Sequence, residues 1–163
     1  MSKYVDEKDA VFSQTANRYG VLNQFDKTSF DNGVILSREY IDPIVDYYIN
    51  HVSSKCYEKI SSFFRCVKLN RLIGSKDNSQ HVDGQAVDLT INTITPKRLF
   101  NDIISGRIKD YEGQPLKHKI GQCILEYDWV HISFDKDIAR KQFMLAHFNK
   151  DNVTYTIVNK EIN

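Results

Sequence analysis

The residues of this chain best suited to chemistry lie in two short stretches, Ser79-Gln80-His81-Val82-Asp83-Gly84-Gln85-Ala86-Val87-Asp88 and Trp129-Val130-His131-Ile132-Ser133. His81 and Asp88 stand seven residues apart across a turn that Gly84 can make sharp. His131 falls on a predicted strand. Two imidazoles and one carboxylate are donors that zinc accepts at tetrahedral angles, with a fourth position left for water. A metal so held polarises a carbonyl and acidifies water. Spacing alone leaves a second reading open, because a histidine on an apolar strand often packs in a core and an Asp after a glycine turn often caps or is solvated.

The surrounding pattern supplies elements able to position these groups. Gln85–Ile91 alternates, with Ala86, Asp88 and Thr90 on one face and Val87, Leu89 and Ile91 on the other. Ile120–Glu126 and Trp129–Phe134 read as two adjacent strands, and Tyr57–Cys66 as another. Phe143–His147 and Val153–Val158 read as edge strands. Ile41, Ile44, Val45, Tyr48 and Ile49 recur at helical spacing within 37–52, with Asp42 as cap and Pro43 as first helical residue. An earlier start at Ser37 would leave Pro43 inside the helix. Thr95 and Pro96 open a second helix running to Ile104. The stretch from Ser13 to Asn32 reads as an arm or loop with short helical turns, and Asn70–Asn78 as a polar segment punctuated by Gly74. Strands mixed with two helices and no βαβ alternation predict an α+β domain.

Length and composition bound the rest. With 163 residues, 41% hydrophobic and 26% charged, the chain suits one domain with a proper core. The expected domain is the whole chain, 1–163, with a core over about 12–136 and a C-terminal extension from 137 onward. A formal net charge of +1 without a Lys/Arg block argues against a nucleic-acid groove or an anionic membrane surface. Cys56, Cys66 and Cys123 lack metal or disulfide spacing and read as free thiols of a reducing compartment. The polar N-terminus, Met1 to Ala10, is not a secretory signal, so synthesis in the cytoplasm is expected. His51, His118 and His147 lack ligand spacing, and Asp83 reads as solvated.

The pattern S-x-H-x-x-G-x-A-x-D followed by W-x-H resembles the zinc D-alanyl-D-alanine carboxypeptidase and L-alanyl-D-glutamate endopeptidase family, in particular its compact phage-type branch. The resemblance runs from about Phe12 to Phe134. It includes Ala16-Asn17-Arg18-Tyr19-Gly20 with Asn23, Ser62-Phe63-Phe64-Arg65, Asn70, Gly74-Ser75 and Gln122-Cys123-Ile124-Leu125-Glu126. It implies a small, mostly antiparallel sheet with flanking helices, the zinc DD-peptidase or Hedgehog-like fold. It implies Zn2+ on His81, Asp88 and His131, and Arg65 holding a substrate carboxylate or carbonyl. Ser79 and Gln80 would orient ligands or substrate, or merely form the turn. Glu126 is the preferred catalytic base and Asp128 the second candidate. The chain departs from the family pattern at Phe63-Phe64, in place of Gly-Tyr, and at Gly121, in place of an Asp.

The expected function is hydrolysis of an amide bond in bacterial peptidoglycan stem peptides by a phage lysin or virion-associated wall hydrolase, with other virion proteins as further partners. The rival is a non-enzymatic virion or wall-binding protein that keeps the zinc fold, and a narrower rival is a cytosolic dipeptidase.

Overall fold

The computed structural model describes residues 1–150 and 152–162. Its centre is a single sheet of β1 (Glu58–Ser62), β2 (Ala86–Ile91), β3 (Ile120–Leu125), β4 (Val130–Phe134), β5 (Gln142–Asn149) and β6 (Asn152–Ile157). The spatial order is β1-β2-β4-β3-β5-β6. All neighbours are antiparallel except β3 and β5, which run parallel. Among the described residues six α-helices accompany it: α1 (Glu7–Val11), α2 (Gln14–Arg18), α3 (Lys27–Leu36), α4 (Asp42–His51), α5 (Val67–Leu72) and α6 (Pro96–Ile104). The α+β class and mostly antiparallel sheet expected from the sequence are thus observed. No helix among the described residues is long and apolar enough to cross a membrane.

The alternation in β2 divides the sheet into two faces. Val87, Leu89 and Ile91 point to the core with Val130, Ile132 and Cys123, where one cluster joins them to Ile41, Ile44 and Tyr48 and to Leu99, Phe100 and Ile103 of α6. The opposite face holds Asp88 and His131 as direct cross-strand neighbours. Helix α6 starts as expected, with the Thr95 hydroxyl accepting from the Arg98 amide at 3.2 Å. The three cysteines are free, two of them buried.

Several expectations give way to tertiary structure. Asp42 does not cap α4. Its carboxylate instead accepts from the Ser2 hydroxyl at 2.8 Å and the Lys3 amide at 3.1 Å, which ties down the N-terminus. A π-helical turn, Ser37–Ile41, joins α3 to α4 without a break, so Pro43 does sit inside a continuous helical run. The wide turn falls where the ladder is interrupted: the Asp42 amide reaches back five residues to Ser37, and Pro43, which has no N–H to donate, follows directly in the first turn of α4.

The loop expected up to Asn32 contains the larger part of α3, Lys27 to Asn32, which is capped by Asp26 and Ser29 in reciprocal hydrogen bonds. No apolar stripe announced this helix, since its buried positions include Ser29, Asn32 and Gly33. Strand β1 ends at Ser62 and not at Cys66, because the backbone beyond it bonds to other partners: Phe64 O and Cys66 N both pair with the Asn23 carboxamide. Helix α5 occupies the start of the supposed polar segment, and Gly74 terminates it with a positive φ of 75°.

The polar face of α3 explains how the motif loop is held. Asn32 donates to Asp83 O at 2.7 Å. Gly84 has φ 69°, and a Cβ there would collide with the Ser29 carbonyl oxygen. Gly84→Ala therefore combines left-handed strain with a backbone clash and is expected to cost about 2 kcal/mol or more of stability. Urea denaturation would reveal it as a lower midpoint at unchanged slope; an unaltered midpoint would remove the packing argument.

Candidate metal centre and its cleft

Each of the three donor residues arrives by a different route. Asp88 and His131 are placed by register alone, as partners on β2 and β4 with both side chains on the face away from the core. His81 lies in the loop before β2 and is almost completely buried. Its Nδ1 donates to the Phe63 carbonyl at 2.6 Å, a bond available only because β1 has left the sheet. A carbonyl accepts only, so Nδ1 carries the proton and Nε2 presents a lone pair to the site.

The donor atoms converge. His81 Nε2 is 3.4 Å and His131 Nδ1 3.0 Å from Asp88 Oδ1. Two ligands about 2.0–2.1 Å from one tetrahedral ion lie about 3.3 Å apart, so these separations are those of a ligand set. All three ligand atoms fall within 4.8 Å of one another, and the residues form a group that could hold a metal ion. The two imidazole rings meet edge to face at 5.1 Å.

Protonation favours the same conclusion. Burial pushes the His81 imidazole below its ordinary value, with Asp88 opposing, so it is neutral at neutral pH. Burial alone would raise the Asp88 carboxyl, but the adjoining His81 and His131 rings override this and hold it far below the usual carboxylate range. Neutral imidazole and ionised carboxylate are the forms that bind a divalent cation.

A cleft of about 1020 Å³ opens over this group, lined also by Arg65, Glu126, Trp129 and Tyr155. Glu126 follows β3, where its amide donates to Trp129 O at 3.0 Å and closes the turn into β4. Burial raises its carboxyl, the negative Asp88 adds to this, and His131 and Arg65 pull the other way. Asp128 lies in the same turn but is exposed and does not line the cleft.

Arg65 is anchored through its amide, which donates to His81 O at 3.1 Å. Burial lowers its pKa against the pull of Asp88 and Glu126. Its Nε is buried without a hydrogen-bond partner among the described residues. Ser79 and Gln80 both line the cleft. The Gln80 carboxamide is engaged elsewhere: it donates to Phe134 O at 2.7 Å and accepts from Arg140 at 2.6 Å, tying the loop to the end of β4.

Both departures from the family pattern have a structural setting. Phe63 and Phe64 are buried and pack on Phe25, with centroids 6.3 and 4.4 Å away. A side chain at Gly121 would meet the Asp135 carboxylate at 2.7 Å, and that carboxylate holds Arg140. His51, His118, His147 and Asp83 are exposed and stand apart from the donor group. Sequence reading missed the contribution of the C-terminal hairpin to the cleft. Met144 of β5, which is buried, and Tyr155 of the exposed β6 line it from a strand pair whose alternation carried no functional signal.

Comparison with known proteins agrees with this site. No curated protein and no solved structure matches the chain. The family described as Peptidase M15 matches residues 49–133, just over half of the chain, and the matched segment contains Arg65, His81, Asp88, Glu126 and His131. The chain therefore belongs to the M15 peptidases, a family of zinc metallopeptidases acting on peptidoglycan.

Proposed function

We propose that this chain is a zinc metallopeptidase that hydrolyses an amide bond in peptidoglycan stem peptides, as a carboxypeptidase or an endopeptidase. The observation that carries this reading is the convergence of three deprotonatable donors at 3.0–3.4 Å beside a half-buried carboxylate and a guanidinium in one cleft. His81 would hold Zn2+ through Nε2, Asp88 through a carboxylate oxygen and His131 through Nδ1. Bound there, zinc supplies a Lewis acid that polarises the scissile carbonyl and acidifies water.

The remaining work falls to the chain's own side chains. Glu126 accepts a proton from the water as its oxygen adds to the carbonyl carbon, and returns that proton to the amine nitrogen as the C–N bond breaks. Burial and the neighbouring Asp88 raise its carboxyl pKa, which strengthens it as a base. Arg65 offers planar donors to a substrate carboxylate or carbonyl, and its unpartnered Nε gains a partner on binding. Asp128, exposed and outside the cleft, is the weaker base candidate. Resemblance to the phage-type branch supports a role in phage lysis or on a virion, where other virion proteins would be partners.

The direct test is incubation of the protein with purified peptidoglycan, with and without chelator, while scoring newly released amino groups. Release that chelator abolishes and Zn2+ restores is expected. Persistent absence of release across wall types would instead favour a zinc-stabilised binding protein.

Two sets of variants probe the assignments. His81→Ala and His131→Ala should each carry well below one equivalent of zinc by elemental analysis, and full occupancy in either would refute the ligand set. Glu126→Gln should keep its zinc but lose about 10²- to 10⁴-fold in kcat, the range for a positioned general base. Asp128→Asn should stay close to wild type; the opposite pattern would transfer the role to Asp128.

A further inference from the structure

The face of the sheet that bears the metal-binding group extends past the segment matched to the family. Strand β5 pairs in parallel with β3, setting Ile124 beside Met144 and Leu125 beside Leu145. Strand β6 then sets Ile157 beside Met144 and Tyr155 beside Ala146. One row of neighbours thus crosses all six strands: Ser62, Asp88, His131, Ile124, Met144, Ile157.

The adjacent row matters more. Continued by one residue, the β3–β5 register brings Glu126 level with Ala146, and hence with Tyr155 on the strand beyond. Ala146 stops at a methyl group, so no tall side chain separates the carboxylate from the phenol. Two strand steps separate backbones by roughly 10 Å, a gap that a Glu and a Tyr leaning toward each other can close. Tyr155 lines the same cleft as Arg65, Asp88, Glu126 and His131. It is 52% exposed. Its hydroxyl makes no hydrogen bond among the described residues, while the nearby His147 is occupied by Thr156. Burial raises the phenol pKa, with the Glu126 and Asp88 carboxylates adding to the effect, so the hydroxyl remains a donor at neutral pH.

We propose that Tyr155 is a further catalytic residue, its hydroxyl donating a hydrogen bond to the scissile carbonyl oxygen as that oxygen gains negative charge. This rests on the peptidase reading given above. The phenol neither gains nor loses a proton in the step: it stabilises charge from the wall opposite Arg65, where the carbonyl would lie between them. A free, partly desolvated donor on a strand paired along its length with β5 costs little reorganisation when the charge forms. The hairpin that carries it lies outside residues 49–133, so this part of the site belongs to the chain and not to the matched segment.

The test uses the full-length, zinc-loaded protein and the variant Tyr155→Phe, which keeps the ring and removes only the donor. Stem pentapeptide ending in D-Ala-D-Ala and purified peptidoglycan are the turnover probes. A phosphinate isostere of the Ala-Ala bond is the binding probe, followed by calorimetry. Loss of one such donor is expected to lower kcat about a hundredfold. KM, zinc content and thermal midpoint should stay unchanged, the signature of an interaction made in the transition state. Affinity for the phosphinate should fall by a similar factor. Wild-type kcat in the variant would overturn the proposal. Should the wild-type protein itself release no amine, the peptidase reading fails and calorimetry decides this one: weaker phosphinate binding by Tyr155→Phe upholds the donor, whereas equal affinity, or none in either protein, overturns it.

Discussion

The site depends on the antiparallel register that makes Asp88 and His131 direct neighbours. Strand side chains alternate with period two, so a slip of one residue would send both groups into the core and bring Val87 or Ile132 to the cleft. The register is protected by what lies beneath it. Val87, Leu89, Val130 and Ile132 are fully buried against the helices, and exposing that set would cost far more than any local rearrangement could recover. Hydrophobic burial on one face therefore secures the polar geometry of the other.

Placing His81 requires a second mechanism, because a loop residue has no ladder to hold it. Three backbone links take the place of a ladder: the Phe63 carbonyl on the ring, the Arg65 amide on the His81 carbonyl, and the Asn32 carboxamide on the Asp83 carbonyl. The same segment that fixes the ring tautomer also delivers Arg65 to the cleft. One short excursion of chain after β1 thus positions both the His81 ring and the Arg65 guanidinium through shared backbone bonds.

Electrostatically the cleft holds its charges unequally. Asp88 is stabilised by imidazoles on both sides, Glu126 is lifted by burial and by Asp88, and Arg65 is partly desolvated. Two carboxylates with pKa values displaced in opposite directions divide naturally into a group that stays ionised and a group that can exchange a proton. The distinction between Glu126 and Asp128 is one of place: Glu126 lines the cleft with Asp88, His131 and Arg65, whereas Asp128 is exposed and does not.

Much of this was legible in the linear chain because it depends on short-range rules. Alternation located β2, β3 and β4. Thr95-Pro96 located α6, and the His81–Asp88 and His131 stretches located the donors through their resemblance to a family. Features decided by distant partners were not legible. Helix α3 buries polar residues against the motif loop, so no apolar period marked it. Asp42 binds the N-terminus and leaves its cap position unfilled. The two C-terminal strands were readable as strands, but their parallel attachment to β3, which carries Tyr155 to the cleft, was not. Residue types and local spacing determine which groups can bind a metal and which segments are strands or helices, because those preferences act over a few residues. Pairing order and the occupants of the opposite wall were decided only by tertiary structure, since they arise from contacts between segments that the sequence holds far apart.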